Sequence, residues 1–233
     1  MKIANEYSHR FARQITAKTP ALAELVDELM TAIGSISDDE ILEAHKEFFS
    51  SSKSISKSIN HLLRERLVPM GWTKESKIFK GEQFQRENSW ALDFAKSINQ
   101  LVPVANDPDL LVPQPIGVAV EVAFNHGEAA AWNILKPVLA AELNHVEKET
   151  HIGEGIGVLI VVSAEMEDKG GFDGAVGNYE RYMKHLSVMR NQISVPMLVI
   201  ALDAPEKFYV ERFPKDHPDK NKRGRSTGVI KIK

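Results

Sequence analysis

The chain has 233 residues, 43% apolar and 26% charged, with a formal charge of -3, the balance of an ordinary globular protein long enough for one sizeable domain. No apolar run approaches the ~20 residues of a membrane span, and an N-terminus interrupted by Glu6, Arg10 and Arg13 does not read as a secretory leader. Zero cysteines exclude disulfides and cysteine-based zinc or redox sites, which fits a reducing cytoplasm.

After Pro20, the residues Leu22, Leu25, Val26, Leu29, Met30 and Ile33 recur at helical spacing, and Gly34 is the expected stop. Ser37 with Glu40 forms a capping-box pattern that opens a second helix through Ile41, Leu42 and Phe49. A third helix is expected over 54–66, with Ile55, Ile59, Leu62 and Leu63 inward, ended by Pro69. Strands follow at 89–96 and 117–124, separated by 97–116, which Pro103, Pro108, Pro113 and Pro115 mark as a loop. A helix over 128–145, a buried strand over 156–163, a helix over 174–189 and a buried strand over 195–202 complete the pattern. Continuous apolar strands alternating with helices predict an α/β fold with a central sheet covered on both faces. The first two strands have no helix between them, so they pair antiparallel and the sheet is mixed. One domain is expected: a helical part at about 1–70, a core at about 75–205 and a basic tail at about 206–233. From Lys215 onward seven Lys or Arg residues face two Asp residues, a local charge of about +5 that leaves about -8 for the rest. Such segregation suits an arm that tracks a phosphate backbone, and it equally suits a solvated end.

The chemistry is concentrated where two apolar strands each carry one acid. Asp93 lies in Leu92-Asp93-Phe94-Ala95-Lys96 and Glu121 in Val118-Ala119-Val120-Glu121-Val122-Ala123-Phe124. A buried carboxylate is costly unless paired, and two that converge at one sheet edge are most simply satisfied by a divalent cation. An ion pair with Lys96, or an edge strand facing water, would satisfy one of them as well.

At these residues the chain resembles the PD-(D/E)xK nucleases, and within them the BglII and BstYI group of type II restriction endonucleases. The resemblance rests on Asp93-Phe94 followed by Glu121-Val122-Ala123-Phe124, where the group has Asp-Phe and then Glu-Val-Gln-Phe. It extends to Met1-Lys2-Ile3 with Tyr7-Ser8-His9, to Leu67-Val68-Pro69 and Gly71-Trp72, and to the basic ending Lys222-Arg223-Gly224-Arg225-Ser226. It implies a homodimer that cuts double-stranded DNA at a short palindrome, with a GATC core in relatives, using Mg2+ and leaving 5′-phosphate ends. Asp93, Glu121 and the carbonyl of Val122 would be the metal ligands, with Glu121 also holding the attacking water. Position 123 would be the third catalytic side chain, where relatives carry Gln or, in the wider superfamily, Lys.

Ala123 departs from that pattern, because alanine can neither orient water nor carry charge. Either another group serves, with Lys96 and Glu128 the candidates to approach the same space, or the chain is a silent or engineered-inactive DNA-binding protein on the same scaffold. For DNA contacts the resemblance points to Asn125 and His126 after the second acidic strand, to Lys169 and Asn178 around a Gly-rich loop, and to Lys222, Arg223, Arg225 and Ser226. A helix cap in that loop, with Asp173 as the capping residue, is the plainer alternative. Gly153-Glu154-Gly155-Ile156-Gly157 precedes a strand and so stands in the wrong order for a phosphate loop, and His145 and His151 lack a third ligand at metal spacing. The helices of the first third and the helix over 128–145 are candidates for a dimer surface, since two equivalent sites on a two-fold axis match the strands of a palindrome.

Overall fold

The computed structural model describes the whole chain except residues 87, 126 and 143–145 and the side chain of Asn88. Its elements are β1 (Ile3–His9), α1 (Ala12–Lys18), α2 (Pro20–Ser35), α3 (Asp38–Phe48), α4 (Ser56–Leu67), β2 (Thr73–Lys77), α5 (Glu82–Gln85), β3 (Ala91–Val104), β4 (Asp107–Val122), α6 (Ala130–Ala141), β5 (Ile156–Val162), α7 (Ala164–Lys169), α8 (Tyr179–Met189), β6 (Met197–Leu202), β7 (Phe208–Arg212) and β8 (Ser226–Ile232). Six strands form a mixed sheet in the order β1-β6-β5-β4-β3-β2, parallel at β4/β5 and β5/β6 and antiparallel elsewhere. The α/β class and the mixed central sheet are those the sequence predicts.

Alternate residues of the strands face two apolar layers. Val118, Val120, Val122, Val158 and Ile160 pack with α2, α3 and α4 through Leu25, Leu29, Ile41, Ile59 and Leu63. Ala123, Leu159, Val161 and Val199 pack with α6 and α8 through Ala130, Ile134, Tyr182 and Leu186. Every residue of β5 and β6 is therefore buried, which is why both read as continuous apolar runs. The capping box forms as expected: Ser37 Oγ accepts from the Glu40 N–H at 3.2 Å and Glu40 Oε2 accepts from the Ser37 N–H at 2.9 Å. No described helix is long and apolar enough to cross a membrane.

Four differences from the sequence reading have clear causes. Residues 97–116 are a hairpin rather than a loop, with β3 and β4 paired from Phe94–Val120 out to Val104–Asp107. Beyond Ile116, which bridges Gly153, neither strand has a second neighbour among the described residues, so Pro103, Pro113 and Pro115 cost no ladder bonds there. At the other end the basic segment is built into the antiparallel pair β7/β8, tied to the body where the Ser226 hydroxyl donates to the Lys53 carbonyl. Helix α8 opens at Asn178, not Gly174, and Asp173 instead accepts from the Ala175 N–H in the preceding turn at 3.0 Å. Helix α6 begins at Ala130 rather than 128, after a 3-10 turn over Gly127–Ala129, and the face carrying Ala130, Ile134 and Val138 is buried in the core. The glycines at 153–157 permit close backbone approach: a Cβ on Gly155 would sit 1.9 Å from the Gly117 carbonyl oxygen, and Gly153, at φ +52, comes as close to that of Pro115.

Candidate active site

One step past the outermost pair of the β3/β4 ladder, Phe94–Val120, the antiparallel register sets Asp93 opposite Glu121. The Val122 N–H donates to Asp93 Oδ2 at 2.7 Å, so this carboxylate ends the ladder in place of a backbone carbonyl. Glu121 is 3% exposed. The Lys136 ammonium, reaching from α6, donates to its Oε1 and, at 3.2 Å, to the carbonyl of Ala91. Glu121 Oε2 is buried with no hydrogen-bond partner among the described residues. An orphaned carboxylate oxygen of this kind calls for an unseen partner, a water or an ion.

The charges agree. Two acids share one buried cation, which leaves one negative charge to be met by a proton or an added cation. Burial first, and then the Asp93 charge, push Glu121 up to about 8 against the pull of Lys136. Asp93 is also raised, by burial first, with the Val122 N–H and Lys136 opposing and Glu75 adding to the rise. In the unfolded chain Glu121 titrates near 4.5, so between there and about 8 the folded protein holds a proton that the unfolded chain has released. Metal-free stability therefore falls as pH rises across that window and levels off above it. Glu121→Gln should melt roughly 5 to 10 °C above the native protein at about pH 8.5, and at nearly the same temperature at about pH 5. Melting curves at both pH values check this, and an equal offset at both would show that Glu121 is ionised throughout.

Asp93, Glu121 and the Val122 carbonyl offer hard oxygen donors, and Mg2+ is held by one or two carboxylates with water filling its remaining positions. The orphaned Oε2 fits that role. Among the described residues no group of three or more His, Asp or Glu could hold a metal, and the Val122 carbonyl accepts from the Phe124 N–H at 3.0 Å.

Asp93 opens into a cleft of about 280 Å³ lined by Lys57, Asn60, His61 and Arg64 of α4 and by Lys74 and Glu75 of β2. Glu75 has φ +47, a left-handed conformation that a glutamate adopts at a cost, and Lys74–Phe94 and Ser76–Leu92 pair on either side of it. Lys57 also lines a second cleft, of about 520 Å³, with Lys53, Arg212, Arg223, Arg225, Ser226 and Asp173. The two clefts share Lys57, and together their basic side chains extend from the neighbourhood of Asp93 to the β7/β8 pair. Arg212 braces the floor of the larger cleft, donating to the carbonyls of Glu167, Asp168, Phe172 and Gly224.

The expected site residues are distributed unevenly. Asp93, Glu121 and Val122 lie together. Ala123 is fully buried against Ala130 and Ile134 under α6. Lys96 is paired with Glu28 at 2.7 Å and donates to the Met70 carbonyl, three residues along β3 from Asp93. Glu128 is exposed in the turn before α6. Asn125 accepts from Asn133, which also donates to Tyr182, and His126, like His145, lies outside the described residues. Lys169 pairs with Glu165. Asn178 caps α8 through the Arg181 N–H and donates to Glu167 at 2.7 Å. Arg223 and Arg225 are exposed on the larger cleft, and Lys222 stacks over Phe213 at 5.5 Å. Sequence reading missed Lys136, Glu75 and the basic face of α4. The signal for the first was a lysine amid the apolar residues of α6, three residues after Asn133 and four before Ala140, both buried with it on one helix face.

A sequence profile described as Restriction endonuclease BglII/BglIII matches residues 4–202. No curated protein matches the sequence. The fold is similar to a crystal structure of restriction endonuclease BglII complexed with a DNA 16-mer, at 16% identity and TM-score 0.56, covering 100% of this chain and 91% of that one. A structure of free BglII matches at 11% identity and TM-score 0.42, covering 100% and 93%.

Proposed function

From the premise that the chain belongs to the BglII/BglIII restriction endonuclease family, a family of type II site-specific deoxyribonucleases, we propose that it cuts double-stranded DNA at a short palindrome, with a GATC core, leaving 5′-phosphate ends. The observation that carries the proposal is the buried pair Asp93 and Glu121 with one carboxylate oxygen of Glu121 unpartnered, Asp93 opening on a basic cleft. Restriction endonucleases generally use a divalent metal, here taken as Mg2+, held by Asp93, Glu121 and the Val122 carbonyl. Such an ion would supply charge neutralisation at the phosphate and lower the pKa of a bound water. Glu121 Oε2, the oxygen without a partner, serves to orient the attacking water. Lys57, Arg64, Arg223 and Arg225 hold the phosphates on either side, and further DNA contacts are assigned to Asn125, His126, Lys169, Asn178, Lys222 and Ser226. A palindrome has two equivalent strands, so the working form is a homodimer with one site per strand, acting in the cytoplasm.

A second reading, favoured by the inert side chain of Ala123, is a DNA-binding protein that has lost cleavage. One experiment separates them. The unmodified chain with Mg2+ is incubated with a randomised duplex library and the new ends are sequenced. Cuts at one palindrome with 5′-phosphates, stopped by chelation, are expected. Protection of a site without cutting would favour the silent reading.

A further inference from the structure

We infer that Lys136, reaching from helix α6, is the positioning cation of the active site: it grips Glu121 through Oε1 and leaves Oε2 free, the service that the strand cannot render from Ala123. This rests on the nuclease reading above.

Three observations carry it. The first is the contact itself, in which the Lys136 ammonium lies on Glu121 Oε1 with its other bond to the Ala91 carbonyl. The second is its cost. Both partners are buried, at 9% and 3% side-chain exposure, and a buried ion pair is seldom more stable than an apolar pair of the same volume. A core position in a helix flanked by Ile134 and Val138 would hold methionine more cheaply. The third is the floor beneath α6. Ala95 and Ala119 face Ala140 there, and Ala123 faces Ala130, so the helix approaches closely enough for a lysine rooted in it to reach the acid. A long side chain at 123 would fill that gap. The alanine and the helix lysine are thus two halves of one arrangement, and a lost group at 123 is not a lost function.

The chain has no cysteine, which permits a clean test. In Lys136→Cys the single thiol is alkylated with bromoethylamine, which rebuilds a lysine-length amine. Lys136→Met keeps the stem and drops the charge. Single-turnover cleavage, DNA affinity without metal, Mn2+ affinity and melting temperature are read for each. We expect Lys136→Met and unmodified Lys136→Cys to cut at least 100-fold more slowly, with DNA and Mn2+ affinities within about threefold of native. Alkylation should return at least a tenth of the native rate. Native cleavage by Lys136→Met overturns the inference, as does a slow variant that alkylation restores in melting temperature but not in rate. Absence of cutting by the native chain itself sinks the nuclease reading, and this inference with it.

Discussion

Asp93→Asn should cut plasmid DNA with Mg2+ on the order of 10³-fold more slowly than the native chain, a barrier increase of about 4 kcal/mol. An asparagine keeps an oxygen for the Val122 N–H, which the aspartate accepts at 2.7 Å, so the end of the β3/β4 ladder survives and the protein folds. What is lost is the negative charge that attracts a divalent ion. The substitution also takes one of two like charges out of a buried space, so DNA binding without metal should hold or tighten, and Glu121 should titrate closer to its ordinary range. A single-turnover plasmid assay and a gel shift without metal give the two readouts. Near-native cleavage by Asp93→Asn would remove this carboxylate from the site.

The second large effect lies in the basic clefts. Lys57, Arg64, Arg223 and Arg225 are exposed and line the two clefts that share Lys57. If each neutralises one phosphate, changing all four to alanine should lower the slope of log K against log salt by about 3.6 and weaken binding at ~0.1 M salt by roughly 10³-fold or more. None of the four holds the fold together as Arg212 does, so melting should move little. Affinity measured from about 50 to 300 mM salt tests this. An unchanged slope would take the clefts out of the path of the DNA.

The parts of this molecule that were readable in its sequence are those in which one local rule decides. Leu22 to Ile33 and the Ser37–Glu40 box announce helices because period and cap agree. Asp93 and Glu121 stood out because a charge in an apolar strand has few cheap fates. The misreadings came where a distant neighbour overrides the local rule. Prolines signalled a loop at 97–116 because sequence does not say that a strand has a free edge. The replacement for the side chain missing at 123 is expected from the sequence at Lys96 or Glu128, whereas the cation that meets Glu121 is Lys136, fifteen residues along the chain, which arrives only because β4 and α6 pack face to face. Strands β1, β2, β7 and β8 carry too few apolar residues for pattern alone, and their pairing partners make them strands.

The hairpin that replaced the expected loop works as a vernier. Its cross-strand pairs run without a shift from Phe94–Val120 to Pro103–Leu111, and each fixes the same offset, so the placement of Asp93 against Glu121 is averaged over ten couplings instead of resting on one. In a ladder of period two, a slip of a single residue would turn one acid to the opposite face of the sheet. The two arms can therefore change length only together. A paired deletion shortens the ruler, whereas an odd one misreads it, and the carboxylates part company although neither has been touched.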